Sequence, residues 1–248
     1  MGHMNKFNLE QFIDDLDELH IFLKENQLNQ FIRYYELLVE WNSFMNLTAI
    51  IDFDEVMKKH FIDSLSLIKA YNLKCEDRNL NLIDIGTGAG FPGIPIKIAF
   101  PGIKVTLLDS LQKRIKFLDE VISELELDNI EAIHGRAEDY AKPDKLREKY
   151  DLCVSRAVAN LSTLSEYCIP FVKKGGKFIC YKSERLTEEL LNAIKAISVL
   201  GGEIEEQVDY YLPFSDIYRN LLVIKKIKKT PYQYPRKAGI PSREPIKI

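Results

Sequence analysis

The stretch from Leu82 to Gly93, Leu-Ile-Asp-Ile-Gly-Thr-Gly-Ala-Gly-Phe-Pro-Gly, is where residue type and spacing define a chemistry. The apolar residues up to Ile85 predict a buried strand, the glycines a tight turn, and Pro92 suits the first turn of a following helix. Such a strand-turn-helix unit cradles a cofactor, because a missing side chain lets the ligand reach the backbone and permits positive φ. Two frames fit. Gly88, Gly90 and Gly93 satisfy the dinucleotide pattern G-x-G-x-x-G, whereas Asp84, Gly86, Gly88 and Gly90 satisfy the acidic-x-G-x-G-x-G pattern of S-adenosylmethionine loops.

The elements that must hold this loop are legible from periodicity. Leu9, Phe12, Ile13, Leu16, Leu19 and Leu23 recur at helical spacing, with Asp14, Asp15, Asp17 and Glu18 off that stripe. A second helix is expected through Phe31, Ile32, Tyr35, Leu38 and Val39, and a third through Val56, Phe61, Leu65 and Ile68. These form a helical cap, over which Trp41, Phe44 and His60 are candidates to line a site. From Leu80 strands alternate with helices, the pattern of a parallel sheet covered on both faces. Strands end at Gly86, at Asp109, before Gly135-Arg136-Ala137-Glu138 and before Ser155-Arg156-Ala157. Gly175-Gly176 reads as a turn feeding a fifth strand, and a helix follows through Leu190, Leu191, Ile194 and Ile197. Two last strand patterns, near 203–212 and 220–227, are too closely joined for a crossover helix and should pair antiparallel. The expected fold class is α/β, a Rossmann-like, mostly parallel seven-stranded sheet with a closing antiparallel hairpin and an N-terminal helical cap. The expected divisions are 5–76 for the cap, 77–229 for the core and 230–248 for a basic tail.

At 248 residues the chain can bury a full core. Met1-Gly2-His3-Met4 reads as an expression-vector scar. No apolar run reaches the roughly 20 residues of a membrane span and no signal peptide is evident, so a cytoplasmic protein is expected. Cys75, Cys153, Cys168 and Cys180 form no C-x-x-C pair, which disfavours a metal site. The net charge of −3 conceals an asymmetry: from Lys225 onward eight Lys or Arg face the single Glu244, a balance of +7 on a body of −10. A basic arm on an acidic body suits a polyanionic partner, or merely a solvated terminus.

In open parallel sheets ligands bind at the carboxyl ends of strands. Asp109 is placed to accept hydrogen bonds from a ribose diol, Ala137 and Glu138 to flank an adenine, and Arg156 to lie nearer the reacting centre. These serve either cofactor. The closing hairpin resembles that of the Rossmann-like S-adenosylmethionine methyltransferases, whereas nicotinamide enzymes normally continue with further crossovers or a substrate domain, and this favours the methyl donor.

Asn46 to Ile50, His60 to Leu65, Asp84 to Pro95, Val154 to Ala157 and Tyr234 to Gly239 together resemble the bacterial small-subunit rRNA guanine-N7 methyltransferases, the glucose-inhibited division protein B family. The resemblance runs from cap to tail. It implies that Gly86, Phe91, Ala137, Glu138 and Arg156 contact S-adenosylmethionine, with Asp109 near its ribose, and that 16S rRNA or a precursor of the small ribosomal subunit is the partner.

The residues agree with that chemistry. Exocyclic amines usually need an Asn/Asp-Pro-Pro-aromatic motif after the fourth strand, where this chain has Ser155-Arg156-Ala157. Pyrimidine C5 needs a cysteine nucleophile, and Cys153 and Cys180 lie inside apolar strands. Guanine N7 offers an in-plane lone pair and needs no base, so positioning by Arg156, with His60 and Asp63 as weaker candidates, can suffice. His134 reads as structural. RNA contacts are expected from Arg136, Lys182, Arg185, Lys228, Lys229, Arg236 and Lys237, with Tyr232 and Tyr234 as stacking groups. Two rivals remain: a nicotinamide-dependent oxidoreductase, and a non-catalytic RNA-binding ribosome-assembly factor.

Overall fold

The computed structural model describes residues 7–74, 77–156, 159–183 and 187–247. Four helical segments come first: α1 (Glu10–Glu18), α2 (Glu25–Met45), α3 (Phe53–Val56) and, after a π-helical stretch at Met57–Ile62, α4 (Asp63–Leu65), which passes into a 3-10 turn at Ser66–Lys69. The sheet then alternates with helices: β1 (Asn81–Ile85), α5 (Gly93–Ala99), β2 (Lys104–Asp109), α6 (Gln112–Glu124), β3 (Ile130–His134), α7 (Ala137–Tyr140), β4 (Tyr150–Ser155), α8 (Leu161–Cys168), β5 (Val172–Lys182), α9 (Thr187–Val199), β6 (Gly202–Tyr211) and β7 (Tyr218–Lys226). A short α10 (Ile240–Arg243) lies in the C-terminal segment.

The strand order is β3-β2-β1-β4-β5-β7-β6. β1 to β5 are parallel, and β7 runs antiparallel between β5 and β6. The order reverses between β1 and β4, and at such a switch point the carboxyl ends open a crevice. One apolar cluster joins the cap to one sheet face, through Phe12, Phe31, Phe61, Phe91, Phe117 and Leu107 among others. A second lies under α8 and α9 on the opposite face.

Several expected stripes shift. In α1, Ile13 is 40% exposed and Asp15 is buried, its carboxylate held by Lys58 at 2.5 Å. In α2 the buried tyrosine is Tyr34 rather than Tyr35, because the stripe turns toward the glycine loop. In α9 Ala193, Ala196 and Ile197 face inward, leaving Leu191 and Ile194 exposed. Gly175-Gly176 lies within β5, where the register to β4 is irregular. Gly175 has φ +90°, and a Cβ on Gly176 would stand 2.5 Å from the Asp151 carbonyl, so these glycines absorb an irregularity rather than a turn.

Gly93 shows how tightly α5 packs on the sheet. A Cβ there would meet Leu107 Cδ2 at 2.4 Å and Asp84 Oδ2 at 3.0 Å. Gly93→Ala is expected to cost about 1–3 kcal/mol through overpacking, read from the midpoint of urea unfolding; an unchanged midpoint contradicts the assigned packing.

Candidate donor cleft and cap cluster

β1 delivers Asp84, fully buried, to the start of the loop. Its Oδ2 accepts from Thr87 Oγ1 at 2.7 Å and from the Gly93 N–H at 2.9 Å, while Oδ1 is buried with no partner among the described residues. Burial raises its carboxyl to about 7 against the pull of these two bonds. Gly86, Gly88 and Gly90 all have positive φ. At Gly90 the lack of a side chain is obligatory, because a Cβ would stand 2.6 Å from both Ile94 Cδ1 and the Tyr34 hydroxyl. On the other side the Gly88 N–H donates to Asp109 Oδ2 at 3.0 Å, so carboxylates from two adjacent strands grip the loop.

Beside the loop opens a cleft of about 330 Å³, lined by Gly86, Asp109, Arg114, Arg136, Ala137, Glu138, Leu164 and Tyr167 among others. That volume is within the range of small-molecule sites. A larger cleft, about 520 Å³, lies between Asn81, Lys104, Asn129 and Lys149 at the amino ends of the strands, the wrong end for a ligand of a parallel sheet. Asp109 is nearly buried; Oδ1 accepts from the Leu111 N–H at 2.9 Å and Oδ2 from Arg114 at 3.1 Å. Two carboxylates, Asp109 and Glu138, in a partly apolar cleft fit an adenosine, whose ribose hydroxyls are donors. Asp84 Oδ1, without a partner among the described residues, lies behind the loop and outside the cleft lining.

A second cluster joins cap to core. Arg156, following β4, donates to Asp63 Oδ2 at 2.9 Å and to the Lys59 carbonyl at 3.2 Å, and its Nη2 faces His60 Nδ1 at 3.2 Å. Arg219 on β7 donates to the other Asp63 oxygen at 2.8 Å. A guanidinium has only protons to offer, so His60 Nδ1 accepts, and Nε2–H then donates to Thr48 Oγ1, 2.8 Å away. Asn42 in turn accepts from the Leu47 and Thr48 N–H groups, which positions that threonine. The His60 ring stacks on Phe91 with centroids 4.5 Å apart, and the Arg156 guanidinium lies 5.1 Å from the same ring. Burial and then the Arg156 charge lower His60 to about 3, so it is neutral at physiological pH. The π-helical stretch that carries His60 is a feature frequent at functional sites.

Of the residues expected at the cofactor, Gly86, Asp109, Ala137 and Glu138 meet at the cleft, with Gly88 bonded to Asp109. Asp84 and Gly90 act from behind, shaping the loop. Phe91, which the resemblance implies at the donor, packs beneath His60 and Tyr34 and is not among the residues lining the cleft. Arg156 belongs to the cap cluster rather than to the cleft lining. Trp41 packs on Phe117, and Phe44 is exposed. His134 is exposed, with Nε2 3.1 Å from the Ser110 carbonyl.

The residues expected at RNA separate widely. Arg136 is exposed on the cleft rim. Lys182 lies at the same end but is tied to Glu189 at 2.7 Å and to the Ala159 carbonyl at 3.1 Å. Arg236 is paired with fully buried Glu166, and Lys237 is exposed. Lys228 and Lys229 follow β7, whose antiparallel course carries them to the end of the sheet opposite the cleft. Arg185, Ala157, Cys75 and the segment Met1 to Met4 lie outside the described residues.

Sequence reasoning missed Tyr34, Arg114, Tyr167 and Arg219. Tyr34 is fully buried and donates to the Ala89 carbonyl at 2.5 Å, joining α2 to the loop. Arg114 carried a readable signal, its place five residues after Asp109; Arg219 carried none, standing at the start of β7 between Tyr218 and Asn220, far in sequence from Asp63.

Comparison with known proteins identifies the family and the fold. The family described as GidB, rRNA small subunit methyltransferase G, matches residues 27–211. Proteins named ribosomal RNA small subunit methyltransferase G are similar over nearly the whole chain: that of Lachnoclostridium phytofermentans is 57% identical over 95% of this chain and 96% of its own, and that of Alkaliphilus oremlandii 59% identical over 92% and 95%. A Haloferax volcanii methyltransferase solved with the Trm112 activator superposes with a TM-score of 0.54 at 14% identity, covering 77% of this chain and 98% of its own. TrmN from Thermus thermophilus gives 0.51 at 14% identity over 69% and 53%. These two likenesses show the fold, a Rossmann-like sheet. With the family match running from α2 to the end of β6 and these relatives more than half identical over nearly the whole chain, the chain belongs to the GidB family, the small-subunit rRNA methyltransferases G.

Proposed function

We propose that this enzyme transfers the methyl group of S-adenosyl-L-methionine to N7 of one guanine in 16S rRNA, in the cytoplasm, with the rRNA or a precursor small subunit as substrate. The donor supplies an electrophilic methyl on a sulfonium. Asp109 and Glu138 would hold its adenosine, and the loop from Gly86 to Gly90 would pass beneath it. The observation that supports the N7 assignment is that the two candidate bases of the cap cluster, His60 and Asp63, are held by guanidinium groups. His60 Nδ1 is occupied by Arg156, and both Asp63 oxygens are occupied by guanidinium groups. N7 attacks through its lone pair without losing a proton, so such a site needs only alignment and electrostatics.

The cluster of Arg156, Arg219, Asp63 and neutral His60 keeps one surplus positive charge, which favours a polyanionic substrate. Arg136 on the rim adds to it, and the remaining RNA contacts expected of Lys182 and Lys237 lie near this end; Lys228 and Lys229 are reached only by an RNA that wraps the body. A cysteine mechanism is disfavoured by the thiols: burial pushes Cys180 to about 12 and raises Cys168. The dinucleotide frame needed Gly93, which close packing on Leu107 already accounts for.

Incubation with unmodified 16S rRNA and labelled S-adenosylmethionine is expected to yield 7-methylguanosine. Label in adenine or in protein refutes the N7 reading, and RNA binding without transfer favours an assembly factor. Gly88→Val, a β-branched residue at φ +63°, is expected to weaken S-adenosylhomocysteine binding by more than tenfold, measured by calorimetry.

The pH dependence has a definite sign. The unfolded chain protonates His60 near 6.5 and the folded chain only near 3, so His60 withdraws stability as pH falls from about 6.5 toward 3 and has no such effect above. The stability of the wild type relative to His60→Gln is expected to decline over that window by at most about 1.4 kcal/mol per pH unit, read by urea unfolding. A constant difference contradicts the burial of a neutral ring.

A further inference from the structure

The basic C-terminal segment is docked, and it docks behind the donor cleft. After β7 ends at the far side of the sheet, Arg147 gathers the returning chain. Its Nη2 donates to the Thr230 carbonyl at 2.5 Å and the Pro231 carbonyl at 3.1 Å, and its Nη1 to the Tyr234 carbonyl at 2.6 Å. The chain then runs along α8. The Arg236 backbone N–H donates to Glu166 Oε1 at 2.8 Å, and its guanidinium spans both oxygens, with Nη2 on Oε2 at 2.7 Å and Nε on Oε1 at 3.0 Å. Glu166 is fully buried, so this pair is an internal joint. Beyond it Thr163 Oγ1 donates to the Pro241 carbonyl at 3.0 Å and Ser162 Oγ to the Ile246 carbonyl at 2.5 Å.

Between these anchors the segment touches the cleft itself. The Gly239 N–H donates to Glu138 Oε1 at 3.0 Å. Glu138 is nearly buried and lines the cleft, as do Leu164 and Tyr167 from α8, against which the segment lies. A glutamate has three rotatable bonds, and holding one rotamer before the ligand arrives removes an ordering cost from binding.

We propose that residues 230–247 are a strap that fixes the donor-facing carboxylate of Glu138, and that Arg236, through its joint with Glu166, is a positioning residue for cofactor binding rather than an RNA contact. The proposal rests on the reading of this cleft as the donor site. The positive charge that makes the segment look like an RNA arm is, at Arg236, spent on a buried carboxylate.

The test uses the full-length chain and S-adenosylhomocysteine as probe, with calorimetric Kd, thermal midpoint and RNA affinity measured on each variant. Arg236→Ala is expected to raise the probe Kd about tenfold while RNA affinity stays within twofold. In a Glu138→Ala background the same substitution is expected to leave the probe Kd unchanged, because the group it positions is gone, although the thermal midpoint still falls. An equal rise in Kd in both backgrounds would mean general loosening and overturns the proposal, as does weakened RNA binding with an unaltered probe Kd. If Arg236→Ala does not fold, the gentler pair Ser162→Ala with Thr163→Val, which removes two bonds to the distal strap, is read in the same two backgrounds and is expected to raise Kd about fivefold in the Glu138 background only. A wild-type chain that fails to bind the probe refutes the donor-site reading instead, which keeps the two failures apart.

Discussion

The carboxylate of Asp84 is the constraint on which the rest of the site depends. Ionised carboxylates are costly to bury, and here the cost is visible in a group pushed to about 7. The same oxygen that accepts from Thr87 accepts from the first N–H of α5, so strand end, loop and helix start are pinned at one atom. Asp109 answers from the next strand by taking the Gly88 N–H. Three loop glycines at positive φ would otherwise sample many conformations. Gripped between two carboxylates, they hold one, and the adjoining cleft keeps its shape.

The cap is tied to that loop rather than merely packed near it. Tyr34 reaches the Ala89 carbonyl through a fully buried hydroxyl, and its ring stacks on Phe61 with centroids 5.2 Å apart. Phe91 then carries His60, and His60 and Asp63 carry Arg156. A displacement of α2 must therefore move the loop, and a displacement of β4 must move the cap. Such coupling explains why an apparently separate helical segment shares one apolar cluster with a sheet face.

Strand ends were the readable part. Gly86, Asp109, Ala137 and Glu138 converge because a parallel sheet delivers every strand's carboxyl end to one edge, a consequence of topology that periodicity reveals. The closing hairpin was equally readable from the short connection between the last two strands. What escaped was anything decided by rotation or by long-range pairing. Tyr34 and Tyr35 are neighbours in one helix, and which of them turns inward depends on a carbonyl 55 residues away. Asp15 looked like a surface acid until Lys58 came to meet it. The packing of Phe91 between Tyr34 and His60 of the cap was equally hidden.

The charge of the C-terminal region shows why a count of cations is a weak guide to a binding face. Lys226 is buried and lowered to about 8 by burial, its ammonium held by the Ile169 carbonyl at 2.9 Å and Thr230 Oγ1 at 2.6 Å, with Glu148 at 3.3 Å. It closes the fold where β7 gives way to the returning chain. Lys225 lies 3.8 Å from Glu205. Arg236 sits on Glu166, and Lys228 and Lys229 stand at the wrong end of the sheet. A phosphate backbone responds to unpaired charge at the surface, near the chemistry it must present. By that criterion Arg136, exposed on the rim of the cleft, outweighs the cations that composition places in the tail.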